Sequence, residues 1–442
     1  MISRREMVLS AALLSAGCAS MKPSQKPSGF VTVEGGRLSL DGAAYRYTGA
    51  NMYYGAYLGA NAPFGNRDRL KRELDALKAL GVTNLRVLGA SELSPLKNSL
   101  QPAFHDRQSL NEDLLGGLDF LLAEMGARDM HAVIYLGNFW EWSGGFATYL
   151  YWTNGGHFID MNDPAHPWPE FPDFSAQFYA NAAAVTLYRD YMRSLITRTN
   201  TITQRAYRDD RTIMAWQLAN EPRPAGSDAF GAKNIAAFRG WVADTAKFIK
   251  SLDGHHLVST GNEGLKGCLE SADCVSAAHG GAEIDYLTCH IWPLNWSWVD
   301  ANDLPGTYAK GEQLSADYFD RHVTLARALN KPLVVEEFGF PRDGGSYDPG
   351  TPTTFRDRFY AMIYARVADG AKNGGPVAGS NFWGWGGSGR TQHPDHRMLR
   401  GETDYVGDPP HEPQGWYSVF DDDASTLAII RANAAVLAGR RT

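Results

Sequence analysis

Short apolar runs and segments of helical spacing alternate eight times along this chain, and that alternation limits the fold more than any other feature. The runs begin near residues 47, 82, 131, 212, 256, 284, 331 and 377. Residues 67–80 show the helical grammar best, with Leu70, Leu74, Leu77 and Leu80 on one face and Gly81 as the stop. Residues 110–129, 178–199, 235–252, 316–329, 355–371 and 425–437 read the same way, whereas the fifth unit, 264–283, leaves little room for a helix. Buried strands joined by helices imply a parallel sheet with crossovers. Eight such units predict a (β/α)8 TIM barrel, a fold that exceeds 400 residues when its loops are long. An open doubly wound sheet would carry a Gly-rich phosphate turn after the first strand, and Gly49-Ala-Asn-Met-Tyr53 is not one. Ahead of the first core strand, residues 30–47 alternate around Gly35-Gly36 and Asp41-Gly42 as small β-hairpins.

Two of the apolar runs end in acids. Residues 213–218 run into Asn220-Glu221-Pro222, and residues 331–335 run into Glu336-Glu337-Phe338-Gly339. Pro222 stops the strand and is expected to hold Glu221 in an extended backbone. In a barrel both acids reach the mouth at the C-terminal ends of the strands, from opposite sides. Strand alternation predicts that Glu337 faces the cleft and that Glu336 finds a polar partner elsewhere. The excess length lies in loops 138–177, 291–314 and 384–424, all on that face. Their aromatics, Trp140, Trp142, Tyr149, Trp152, Trp168, Trp292, Trp296, Trp298, Trp385 and Trp416, suit a cleft that stacks on sugar rings, with about half expected to pack on one another instead.

The 442 residues are 44% hydrophobic and 12% aromatic, ample for one large core, and residues 29–442 read as one catalytic domain. A net charge of −7 without a basic block argues against nucleic acid as partner. Residues 1–18 read as an export signal: Arg4-Arg5 precedes a run, Val8 to Ala16, too short to span a bilayer. The Leu14 to Cys18 stretch resembles a bacterial lipoprotein processing site, with Ser15 in place of the usual Leu, and processing there would attach the chain to a membrane through a lipidated Cys18. Residues 19–28 form a tether, and the expected location is periplasmic, outer-membrane-anchored or extracellular. Cys268 and Cys274 bracket a short loop that an exported protein can close as a disulfide, and Cys289 reads as a buried thiol. No His or Cys stands at ligand spacing near that loop, so no metal or cofactor is expected, and the chain is read as a monomer.

With these residues in place, the chain resembles glycoside hydrolase family 5, a retaining barrel family, over nearly its whole mature length. The resemblance rests on Asn220-Glu221-Pro222 after strand four, Glu337-Phe338-Gly339 after strand seven, Arg86 on strand two, His290 on strand six and Trp383 on strand eight. LGNFWEWSGG (136–145), STGNEG (259–264), CHIWPLNW (289–296) and NFWGWGG (381–387) look closest to the endo-β-1,4-mannanase branch. The resemblance implies Glu221 as acid/base, Glu337 as nucleophile, and Arg86 as the cation that keeps Glu337 ionised. It also implies Asn220 on the sugar 2-hydroxyl, His290 orienting the acid/base or a substrate hydroxyl, and Trp383 as a sugar platform, with Trp140 among the binding aromatics. Many members carry Tyr where this chain has Trp292, which donates through its indole N–H but cannot accept. The implied partner is a β-mannan polysaccharide or oligosaccharide. A β-1,4-glucanase, an exo-β-mannosidase with one end of the cleft closed, and a non-catalytic glycan-binding barrel are the alternatives.

Overall fold

The computed structural model describes residues 29–439. The proposed signal at 1–18, Cys18 and the tether at 19–28 lie outside them. Eight parallel strands form the central sheet: β1 (Tyr47–Asn51), β2 (Asn84–Leu88), β3 (His131–Tyr135), β4 (Ile213–Gln217), β5 (Leu257–Ser259), β6 (Leu287–Ile291), β7 (Leu333–Phe338) and β8 (Val377–Phe382). Their order, β5-β4-β3-β2-β1-β8-β7-β6, is that of a (β/α)8 barrel. Between β5 and β6 no ladder forms. The seam closes instead through Asp285 N to Val258 O (2.7 Å), Thr288 Oγ1 to Asn262 O (2.7 Å) and His290 N to Glu263 O (3.1 Å).

One main helix follows each strand: α1 (Arg67–Ala79), α2 (Glu112–Gly126), α3 (Ala182–Ile196), α4 (Asp228–Leu252), α5 (Ala272–His279), α6 (Leu304–Leu329), α7 (Thr354–Ala371) and α8 (Ala424–Leu437). Side-chain N-caps fix several starts, including Asn66, Asn111, Asn181 and Ser227. The crowded fifth unit does hold a helix, α5, but only eight residues of it, capped by Ser271. No helix among the described residues is long and apolar enough to cross a membrane.

The barrel interior is layered. At the floor, Tyr47, Val133, Ala215, Leu257, Tyr286 and Val334 pack with Val31 and Leu38 of the N-terminal strands Val31–Glu34 and Arg37–Leu40. The predicted hairpin therefore plugs the bottom of the barrel. Above that apolar floor the interior turns polar, with Arg86, Gln217, Ser259, Glu336 and His290 all buried. A buried polar layer persists only where its members satisfy one another, so it marks the end of the barrel that carries chemistry.

The long loops are built structures. In loop 138–177, Phe146 stacks on Phe178 (4.1 Å between centroids) and meets Trp241 edge-on, fastening the loop to α4. The loop after β8 is held from beneath by Asp423. Its carboxylate takes Arg342 Nη2 (2.7 Å) and Arg356 Nη1 (3.4 Å), two fully buried guanidinium groups, and Arg356 also reaches the carbonyls of Phe340, Trp416 and Ser418. Removing one partner of a buried ion pair leaves uncompensated charge. Asp423→Ala is therefore expected to cost about 3–5 kcal/mol in chemical denaturation. A loss below about 1 kcal/mol, the range of exposed pairs, would show that water replaces the carboxylate without penalty.

Candidate active site

Glu221, Glu337 and His290 converge at the mouth, one carboxylate oxygen or ring nitrogen of each lying within 4.8 Å of the others. His290 Nδ1 stands 2.6 Å from Glu221 Oε1 and 3.2 Å from Glu337 Oε2. Three such groups are also a spacing that suits a cation, but Arg86 already supplies positive charge there, 2.5 Å from Glu337 Oε1.

Arg86 is the frame of the site. Its Nη1 also donates to Asn51 Oδ1 (3.1 Å), its Nη2 to Asn220 Oδ1 (2.8 Å) and its Nε to Gln217 Oε1 (2.7 Å), over the Tyr135 ring. Asn220 completes the link by donating to Asn138 Oδ1 (3.1 Å). Trp292 gives its indole N–H to Glu337 Oε2 (3.2 Å), so this side chain makes a donor contact to that carboxylate without a hydroxyl. Trp140, read from sequence as a wall aromatic, also bonds directly to Glu221 Oε2 through Nε1 (2.6 Å). Trp383 lies edge-on to Trp142 and Trp292 and faces the cleft with them.

Two local expectations are corrected. Glu221 is not extended: its φ is +52°, in the left-handed region sparsely used outside glycine. Pro222 does disfavour the right-handed region, but tertiary bonds select the remaining one. Glu221 N donates to Gly261 O (2.9 Å), Asn220 N to Gly137 O (2.8 Å), and Asn262 Nδ2 to Pro222 O (2.6 Å). Gly261, at φ +71°, must be glycine there, because a Cβ would lie 2.0 Å from Ala219 O. Second, Glu336 does not leave the interior. A bulge in β7 sets Val335 against Cys289 and Glu337 against His290, with Glu336 as the extra residue. Alternation fails at a bulge, so the two adjacent glutamates share one side, and Gln217 hydrogen-bonds Glu336 beneath Arg86.

The cleft encloses about 640 Å³ and is lined from the ends of β3 through β8. Of the loop aromatics, Trp140, Trp142, Trp168, Trp292 and Trp296 face it. Tyr149 and Trp152 pack on His105, Trp298 on Tyr318, Trp385 bonds to Glu73, and Trp416 stacks on Tyr417. Sequence reading missed Gln217, Asn51 and Asn138; polar side chains inside or beside apolar strands were the available signal. It also missed Pro409, His411 and Glu412, which reach the cleft from a loop with no periodicity to read. Cys268 and Cys274 are buried and unbridged, with Cys268 Sγ 3.8 Å from Asn262 Oδ1, and Cys289 is a buried thiol.

Charge in the site is unevenly held. Burial alone would raise the Glu221 carboxyl, but hydrogen bonding and charge from His290, with Arg223 and Trp140, bring it down to about 2. Burial would lower the His290 ring, yet the Glu337 charge and the surrounding Glu221, Glu336 and Glu337 carboxylates lift it to about 10. The shared proton thus rests on His290.

A model for β-mannosidase-like proteins of glycoside hydrolase family 5 matches residues 28–441. The chain belongs to glycoside hydrolase family 5. It is a glycoside hydrolase by that membership. It is 29% identical to mannan endo-1,4-beta-mannosidase 1 of Oryza sativa subsp. japonica, over 92% of this chain and 85% of that one. Mannan endo-1,4-beta-mannosidase 1 of Arabidopsis thaliana is likewise 29% identical, over 80% and 82%. Among solved structures, a family 5 mannosidase from Rhizomucor miehei matches with TM-score 0.84 and 34% identity, over 93% of this chain and 98% of that one. An endo-1,4-beta-mannanase from the same organism shares the fold at TM-score 0.66 and 22% identity, over 93% and 100%. Arg86→Lys keeps one positive charge but loses the planar fork that reaches Gln217, Asn51, Asn220 and Glu337 together. Its hydrolytic kcat is expected to fall by about 10²-fold or more, the scale of losing a fixed electrostatic group, with the melting temperature less affected. Wild-type kcat in this variant would show that charge alone suffices.

Proposed function

We propose that this glycoside hydrolase cleaves β-1,4-mannosidic bonds of mannan, glucomannan or galactomannan by double displacement. The observation that carries the reading is the approach of the two carboxylates, an oxygen of each within 4.8 Å of the other. Retaining enzymes hold their carboxyl groups about 5–5.5 Å apart, whereas inverting ones leave about 6.5–9.5 Å for a water. Glu337 attacks the anomeric carbon while the C1–O bond to the leaving sugar breaks and Glu221 protonates that oxygen. Water then attacks C1 of the glycosyl-enzyme, Glu221 takes its proton, and Glu337 is released as carboxylate. Arg86 stabilises the Glu337 anion that begins and ends the cycle. Asn220 faces the 2-hydroxyl and Trp383 the sugar ring.

The proton Glu221 delivers reaches it from His290 Nδ1, 2.6 Å away. The sign follows. The pair holds its proton up to the raised value of His290, about 10, and loses it above. Without the ring the proton sits on Glu221 alone and departs at lower pH. His290→Gln is therefore expected to move the alkaline limb of kcat/KM down by more than about one unit; an unmoved limb would remove His290 from the proton path.

The names of the plant relatives support internal cleavage, and one feature favours release from chain ends. Asp408 binds the backbone N–H groups of Gly415, Tyr417 and Ser418, Tyr53 donates to Asp408 O (3.1 Å), and Arg400 reaches Ser94 O (3.1 Å). This fastens the loop after β8 across the β1 and β2 side, placing His411 and Glu412 in the cleft wall, and no residue of 52–66 or 89–110 lines the cleft. Products from linear mannan, galactomannan, glucomannan and cellulose test both readings. Mannosidic cleavage of the first three and none of cellulose is the expected result; mixed oligosaccharides mean endo action, and mannose alone means exo action. Glu221→Ala is expected to lose about 10²–10⁴-fold in rate and Glu337→Ala to fall to background, each with the fold intact. Near-wild-type turnover in either variant would sink the assignment, whereas binding of mannan by the wild type without any reducing-end release would leave a glycan-binding barrel as the reading.

Export with lipidation at Cys18 is proposed from residues 1–18 alone. Fatty-acid labelling of the full chain that Cys18→Ser abolishes is the expected result.

A further inference from the structure

Glu336 has no part in the double displacement, yet it is buried to 1% exposure directly beneath the groups that perform it. Its position comes from the β7 bulge. Its carboxylate accepts from Gln217 Nε2, while Gln217 in turn accepts from Arg86 Nε (2.7 Å) and donates to Ser259 Oγ (2.9 Å). Glu336 Oε2 stands 3.8 Å from Arg86 Nε and 4.0 Å from His290 Nε2. Neither Glu336 Oε2 nor His290 Nε2 has a hydrogen-bond partner in this structure, although both are fully buried. A buried acid facing a buried imidazole nitrogen on the side away from Glu221 is costly to keep unless the two complement each other.

We propose that Glu336 is a positioning residue for the reaction, a third carboxylate that orients His290 from below and holds Arg86 through Gln217. This rests on the catalytic reading above. With Glu336 under Nε2, the ring carries a proton on that nitrogen and presents Nδ1–H to Glu221 and Glu337. The arrangement is a carboxylate–imidazole–carboxylate line through the barrel, with the lower acid fixing the ring that the upper one uses. Arg86 balances Glu336 and Glu337 together, so two adjacent acids coexist inside one barrel. The other titratable groups about Glu336 are Tyr47, Tyr286 and Cys289, all pushed up by burial first, and His279, pushed down. Those facing His290 are Glu221, Glu337 and, from α6, His322, whose ring burial holds neutral at about 4.

The test uses the full chain labelled with ¹⁵N in the histidine rings, the His290 signals being those missing from His290→Gln. At about pH 8 both ring nitrogens of His290 are expected to be protonated in the wild type. In Glu336→Gln the ring is expected to lose a proton at that pH and kcat to fall about 10–10²-fold, with KM nearly unchanged. If the Gln variant does not fold, Glu336→Asp withdraws the same charge by one methylene and is expected to lower the ring titration partway. A neutral His290 in the wild type, or a titration unchanged in the folded variant measured, overturns the proposal. The ring signals are read without substrate. A wrong sugar assignment would thus appear in the product profile and leave this result standing.

Discussion

Everything in the active site hangs on one buried guanidinium. Arg86 has no exposed surface, and it touches the ends of β1, β4 and β7 at once through Asn51, Gln217, Asn220 and Glu337. A charge so deep is tolerable only with complete pairing, and its fork has five donors to satisfy. That requirement explains the polar layer above the apolar floor. Asn, Gln and Glu occupy interior strand positions that aliphatic side chains would otherwise fill, because each gives an oxygen to the same cation. The charge that steadies Glu337 is thus also what aligns the strand ends with one another.

His290 adds the second cation, and the two together set where protons sit. Three acids, Glu221, Glu336 and Glu337, surround two cationic side chains in a buried layer. The most basic position wins the proton, and that position is the ring bonded to Glu221. The site is therefore poised one short transfer away from the acid form. Around it, loops after β3 and β8 wall the cleft. The first contributes Trp140 and Trp168, and the second His411 and Glu412.

Much of this was legible in the chain. Strand starts read at 47, 131 and 377 coincide with β1, β3 and β8, and the rest fall within three residues. Period and turn chemistry are local, so they survive without tertiary information. The placement of Glu221 and Glu337 at one mouth follows from counting strands in a parallel barrel. Which loop aromatics face the cleft was harder to read, for a physical reason: an indole stabilises a loop core as readily as a cleft wall. Trp152 and Trp385 took the first role and Trp140 and Trp168 the second, and neighbouring residues do not distinguish them.

The sequence by itself determined the barrel and the two strand-end acids, because periodicity and strand order need only local spacing, and Arg86, His290 and Trp383 came through the family resemblance. The tertiary structure alone decided which way Glu336 turns, the left-handed backbone of Glu221, and the anchoring of the loop after β8. Each depends on partners far along the chain. The bulge is defined only against β6, Glu221 is held by Gly261, and the loop carrying Glu412 is fastened by Tyr53 and Ser94. A residue's own neighbours carry no record of a hydrogen bond made across the barrel, so those choices appear only when the strands close.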